Sequence, residues 1–465
     1  MAKSKSPITW LCPDKVECDN SNYSIKSRSS DAGGDFLCRT PFLIDYGSIV
    51  HASKFRRLSY KTQVYMNPQS DFVRTRMSHS MEVAQIGRQL ARILNKVLNH
   101  SSKSSYYRET ERSFDQDLED LVASACLAHD LGQAPFGHKG EDVLAELARQ
   151  HQSVYEGNRQ NIRLLVGSDL RPSFGVSCAL IDAISKYKDT EMFSENMEKA
   201  GGCYDSERDI FFKILNKTGT GKSTRHPACF LMEAADDICN IASDIEDAIK
   251  TKNLDRSEFL NLVSDFQILN RRYTIKRGLT WKKLFNEYRI NPEYLSTHLI
   301  RIMVKLFARK IVENFDDVKI EDLPKKMNQF VKDDHHPKEK MNLLFSKKGL
   351  GNKLQELKTG YRNSIFDKPN IAQTEILAEK VVKSIWHEMT FLVTDPVSKF
   401  ADNDAFKLLP EDVKEKILSL KDKEQGLSSE RRIRILCDYI SGMTDRFAID
   451  YWAKLNEPER LRAAA

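Results

Sequence analysis

The stretch LMEAADDICNIASDIEDAIK, residues 231–250, decides the fold class. Leu231, Ala234, Ala235, Ile238, Ile241, Ala242, Ile245 and Ala248 recur at the three-to-four spacing that lines one face of an α-helix. Glu233, Asp236, Asn240, Asp244 and Asp247 form a polar line beside it. Two other stretches repeat the pattern. From Ser78 onward, Val83, Ile86, Leu90, Ile93, Leu94 and Val97 make one apolar face, and Leu118, Leu121, Val122 and Ala125 make another that runs to His129. No proline interrupts 69–134 or 228–291, which leaves room for long helices. Period-two alternation of the strand type is hard to find, so the reading predicts a mostly α fold.

The chain of 465 residues allows two or three domains or one large helical body. Its 40% apolar and 30% charged residues fit a soluble globular protein, and no run approaches the roughly 18–20 apolar residues that span a bilayer. The start, MAKSKSPITWLCPDKVECDN, meets a proline and several charges before any apolar core and lacks the shape of a secretory signal, which predicts a cytoplasmic protein. Nine cysteines without a C-x-x-C pair read as reduced thiols. The balance of 72 basic against 66 acidic residues, +6, permits a polyanionic ligand without requiring one. The expected organisation is a flexible N-terminal arm (1–30), a catalytic helical core (31–255) and a helical C-terminal region packed on it (256–465), with an exposed charged insertion near 316–348.

Three short words carry the chemistry: His79 in RMSHSMEV, His129-Asp130 in ACLAHDLGQAPFGH and Asp236-Asp237 in LMEAADDI, one on each of the three helices. Imidazole nitrogens with carboxylate oxygens suit a divalent metal, and an open site of this kind polarises a phosphoryl oxygen or activates a water. A lone His-Asp pair is more often a core histidine and a turn cap. Here His129 ends an apolar stripe, where an aspartate beside it is costly to bury without a cation or hydrogen-bond partners. Side chains at Asp236 and Asp237 point about 100° apart on a helix, so one of the two is the ligand.

The set His79, His129-Asp130 and Asp236 resembles the H…HD…D signature of the HD-domain phosphohydrolases. Six blocks in order resemble the deoxyguanosine triphosphate triphosphohydrolases (dGTPases): RTPFLIDYGSIVHASKFRRLSYKTQVY, DFVRTRMSHSMEV, AHDLGQAPFGHKGE, YEGNRQNIRLL, RHPACFLMEAADDI and DYISGMTDRFA. They cover residues 39–250 closely and 355–450 thinly. The resemblance implies a divalent metal on His79, His129, Asp130 and Asp236, with Mg or Mn the first expectation and Fe, Co or Ni as alternatives. It implies His138 and Glu141 as the catalytic histidine and acid, with Glu156 a further acid nearby. Spaced three apart, His138 and Glu141 can meet on one helical turn. Arg76, Lys186 and Tyr187 match phosphate- and sugar-facing positions, Gln63 and Val64 the segment along deoxyribose and base, and Asn240 and Asp244 further substrate positions. Asn240 stands where many relatives carry a tyrosine. The implied reaction converts dGTP, or another dNTP, to deoxynucleoside and tripolyphosphate. The resemblance also implies a homo-oligomer, and single-stranded DNA as a regulator.

Two readings compete with this one. An HD phosphohydrolase of different nucleotide specificity has the same metal set, and a nucleotide or nucleic-acid sensor would use Arg56, Arg57, Arg74 and Arg76 with Tyr60 and Tyr65. NKTGTGKST at 216–224 ends like a P-loop but has Asn216 where the first glycine belongs. The His335-His336 pair reads as a solvated loop, and Lys199 receives no role.

Overall fold

The computed structural model describes residues 8–19, 22–28, 39–66, 71–168, 170, 172–186, 188, 202–255, 258–259, 292–334, 349–366, 368–419 and 428–463. The elements that position the site are helices α1 (Pro41–Val50), α2 (Arg76–Val97), α3 (Phe114–Ala128), α4 (Gly137–Gln150), α5 (Gly157–Val166), α6 (Pro227–Lys250), α7 (Pro292–Phe315), α8 (Leu323–Asp334), α9 (Gly349–Phe366), α10 (Pro369–Glu388), α11 (Ser429–Ser441) and α12 (Asp445–Ala463). Among the described residues the sheet structure is one antiparallel pair, β1 (Lys15–Asp19) and β2 (Asn22–Lys26). The protein is mostly α.

Local chemistry sets where the helices begin. Thr75 and Ser78 form a reciprocal capping box at the start of α2, satisfying amides that have no partner inside the helix. Ser113 caps α3 through the amide of Gln116, and α6 starts with Pro227 behind a His226 cap. The apolar faces of α2, α3 and α6 then pack on one another, with α1 against α3 and α7 against α2 and α6. Val83, Leu90, Leu118, Leu121, Leu231, Ala235 and Ile238 are fully buried there. Gly87 lets α2 and α3 approach closely: a Cβ at that position would stand 2.5 Å from Cys126 Sγ.

A second core lies on the other side of the site. Val143, Leu144 and Leu147 of α4 join Val381, Val382 and Ile385 of α10 and Leu436 and Ile440 of α11. Helix α4 is therefore one element through which the C-terminal region bears on the site.

Two expectations need correction. Residues 8–28 are not a loose arm where the structure describes them: β1 and β2 pair, Val16 donates its amide to Val176 O at 2.9 Å, and buried Trp10 donates Nε1 to Ile320 O at 3.1 Å. The Ser/Lys-rich average concealed three anchors, Trp10, Leu11 and Val16, that bury fully enough to order the segment. The charged stretch at 316–348 is not looped out over its described part, because Ile320 and, on α8, Leu323, Met327 and Val331 are buried. Its charges occupy the opposite face. The described cysteines are free thiols, and no described helix is long and apolar enough to cross a membrane.

Candidate active site

His79 on α2, His129 at the end of α3 and Asp236 on α6 converge, each offering a ligand atom within 4.8 Å of the others. Asp236 Oδ1 lies 3.1 Å from His79 Nε2 and 3.5 Å from His129 Nε2. The orientation of His129 is fixed from behind: its Nδ1–H donates to Cys126 O at 2.7 Å, which turns Nε2 toward Asp236. Asn161 donates Nδ2 to the His129 carbonyl and accepts the Gly132 amide at 2.5 Å, bracing the turn after α3. Burial alone would raise the Asp236 carboxyl, but His129 and His79 hold it well below the ordinary carboxylate range. A part-buried carboxylate between two buried imidazoles is a donor set that fits a divalent cation.

Asp130 is adjacent but shared. Its Oδ1 is 3.5 Å from His129 Nε2, and its Oδ2 accepts from Arg76 Nη1 at 2.6 Å. Burial opposes its ionisation, and the charges of His129 and Arg76 outweigh burial and hold it low. Asp237 turns away and accepts from Lys358 Nζ on α9 at 2.9 Å.

His138 and Glu141 lie on the first turn of α4, and Gly140 is required there because a Cβ would collide with the Pro135 carbonyl. His138 Nδ1 is 3.9 Å from Glu141 Oε2, an ion-pair separation longer than a hydrogen bond. The His138 side chain is 67% exposed, whereas Glu141 is mostly buried and accepts the Gly157 amide on Oε1 at 2.7 Å. Burial pushes Glu141 up, and its contacts with His138 and the Gly157 amide bring it net below its ordinary value. Glu156 caps α5, accepting from Arg159 N at 2.9 Å, and burial together with Glu141 raises its carboxyl.

The positions matched to substrate lie around this centre. Lys186 Nζ is 3.8 Å from Asp236 Oδ2. Asn240 donates Nδ2 to Asp236 Oδ1 at 2.9 Å and accepts from Gln63 Nε2 at 3.4 Å, while Val64 packs half-buried on the main core. Asp244, pushed up to about 6 by burial, accepts from the Tyr361 hydroxyl at 3.2 Å. Tyr187, Lys199 and the His335-His336 pair lie outside the described residues.

Residues that sequence reasoning missed come from afar. Tyr361 and Lys358 reach α6 from α9, and Lys61 donates Nζ to Gln133 O at 2.5 Å and Ser441 O at 2.6 Å. Burial pushes the Lys61 ammonium down to about 7 against the pull of Asp445. The signal available for Asp445 was its place in DYISGMTDRFA. The P-loop lookalike has no phosphate cradle: Thr218 and Thr220 both donate to buried Asp182 Oδ2 at 2.6 Å, and Lys222 Nζ lies 4.4 Å from the centre of the Phe212 ring.

Residues 76–177 match the HD domain, and residues 344–454 match the phosphohydrolase-associated domain. A deoxyguanosinetriphosphate triphosphohydrolase-like protein of Shewanella baltica is 30% identical over 468 residues, covering 90% of this chain and 93% of the relative. One from Synechocystis is 28% identical over 451 residues, covering 88% and 91%. One from Pseudomonas aeruginosa is 33% identical over 262 residues, covering 50% of this chain and 58% of the relative. By this coverage and identity the chain belongs to the deoxyguanosinetriphosphate triphosphohydrolase-like proteins of the HD-domain phosphohydrolases.

Proposed function

We propose that the protein hydrolyses dGTP, with other dNTPs as further candidate substrates, to deoxynucleoside and tripolyphosphate by water attack at the α-phosphorus. The observation that carries this reading is the His79–His129–Asp236 cluster, its two imidazoles buried, with a cation-bearing side chain, Arg76, and an exposed imidazole, His138, at its edge. The relatives' names supply the substrate class.

His79, His129 and Asp236 would hold the metal, with Asp130 as a fourth ligand from its Oδ1 side. A divalent cation bound there supplies Lewis-acid polarisation of a phosphoryl oxygen and lowers the pKa of a bound water. Arg76 and Lys186 counter the charge of the triphosphate. His138 faces solvent, where it can donate a proton to the departing 5′-oxygen, and Glu141, anchored by the Gly157 amide, keeps a negative charge beside the imidazole. Gln63 and Asn240 line the approach to Asp236. The water oxygen ends on the α-phosphorus, and the proton ends on the nucleoside.

The test is incubation of metal-defined protein with each of the four dNTPs in ¹⁸O-water, with products separated chromatographically. Deoxynucleoside and singly labelled tripolyphosphate are expected. A diphosphate plus inorganic phosphate as first products, or no turnover of any dNTP, would overturn the reading.

A further inference from the structure

The block DYISGMTDRFA lies far from the metal in sequence, and the mechanism above does not use it. Its turn, between α11 and α12, is gripped by one short segment of the N-terminal half. Arg57 Nη1 donates to Gly442 O at 3.1 Å, Lys61 Nζ donates to Ser441 O at 2.6 Å, and the Thr62 amide donates to Asp445 Oδ2 at 2.9 Å. The other oxygen of the same carboxylate, Oδ1, accepts the Phe136 amide at 2.8 Å. Asp445 is 8% exposed.

The two amides held by Asp445 belong to different halves of the candidate site. Thr62 precedes Gln63 and Val64, on the substrate side. Phe136 precedes Gly137 and His138, on the acid–base side, and it adopts φ 66°, a left-handed conformation that a bulky side chain holds only when its surroundings impose it. Gly137 follows at φ 63°. The Phe136 amide would otherwise be a buried donor without a partner, so the carboxylate both satisfies it and fixes the turn that aims His138. Lys61 reinforces the same joint, because it bonds Gln133 O on the loop that leads to Phe136.

We propose that Asp445 is a positioning residue: one C-terminal carboxylate sets the spacing between the substrate segment at 62–64 and the His138 turn. The proposal rests on the functional reading above for its kinetic consequence but not for its structural one. The candidate ligands His79 on α2, His129 and Asp130 just after α3, and Asp236 on α6 accept or donate no bond to Asp445, whose partners are the Thr62 and Phe136 amides, so metal binding is separable from it.

The test compares Asp445→Asn, which keeps one acceptor oxygen, with Asp445→Ala, which keeps none. Both are expected to bind metal stoichiometrically and to show faster amide exchange in peptides covering 60–66 and 133–140 but not in those covering 114–128. With dGTP, kcat should fall at least about 10-fold in Asp445→Ala, since small misplacements of a reacting group are costly, with Asp445→Asn intermediate. Wild-type exchange and kcat in both variants would overturn the proposal. Loss of metal with faster exchange throughout the chain would also overturn it, by making Asp445 a general stability residue. A wild-type chain that turns over no dNTP would sink the functional reading alone, and the exchange measurement would still decide the tie.

Discussion

The adjacent carboxylates of Asp236 and Asp237 serve different partners: Asp236 Oδ1 lies 3.1 Å from His79 Nε2, and Asp237 Oδ1 accepts from Lys358 Nζ at 2.9 Å. One residue closes the candidate metal cluster and the next ties α6 to α9. Asp236→Asn should therefore abolish stoichiometric metal binding while the helical circular dichroism survives. Asp237→Asn should keep the metal but destabilise the protein by about 3 kcal/mol, the scale for breaking a mostly buried ion pair. Metal analysis alongside denaturant unfolding checks both, and equal metal loss in the two variants would show that the assignment is wrong.

On the proposed reading Arg76 would bear on a bound metal as well as on phosphate, because it is tied to Asp130. Its guanidinium occupies Asp130 Oδ2 and leaves Oδ1 toward His129. Arg76→Ala should lower metal affinity by about 10-fold, the scale of outer-shell partners, in addition to lowering kcat/KM for dGTP. Calorimetric titration with Mn²⁺ in the absence of nucleotide isolates the first effect. Unchanged affinity there would confine Arg76 to substrate.

Acid lability should trace in part to His226. This buried ring bonds Trp10 O through Nε2 at 2.8 Å and accepts the Ala228 amide on Nδ1 at 3.1 Å, an arrangement only the neutral ring satisfies. Burial, opposed by Asp182, pushes its pKa down to about 4. The unfolded chain thus holds a proton that the folded one releases, so this contribution is complete above the unfolded pKa of about 6.5 and is lost as pH falls through about 4. Urea unfolding of the wild type and His226→Gln should show the wild type losing about 3 kcal/mol more over that interval. Parallel pH profiles would remove His226 from the account.

The three helices and the candidate ligands they bring together were legible because each is a one-dimensional pattern: the stripe of Leu231 to Ala248 is visible at 3.6-residue spacing whatever it packs against. The pairing of Arg76 with Asp130 was not, since nothing in either local pattern names the other. The Phe136–Asp445 bond joins residues 309 apart, and only the resemblance of DYISGMTDRFA hinted that its segment mattered. The N-terminal hairpin was hidden for another reason. Val16 and Trp10 are too few to raise the average hydropathy of a Ser/Lys-rich segment, yet each is buried against a distant element.

The geometry at His138 separates two roles that spacing alone merged. Its ring is exposed and lies 3.9 Å from Glu141, while Glu141 is mostly buried and anchored to the Gly157 amide. The imidazole is thus the group that can reach substrate, and the carboxylate acts on it electrostatically from a fixed place. His138→Ala should retain metal and dGTP binding but turn over at least about 10²-fold more slowly, the scale of general acid–base catalysis. Glu141→Gln keeps an oxygen for the Gly157 amide and removes only the charge, so its defect should be smaller. Turnover of the two variants beside the wild type decides this. A wild-type rate in Glu141→Gln would mean that Glu141 only braces α5, and a His138→Ala variant within a few-fold of wild type would place the proton donor elsewhere.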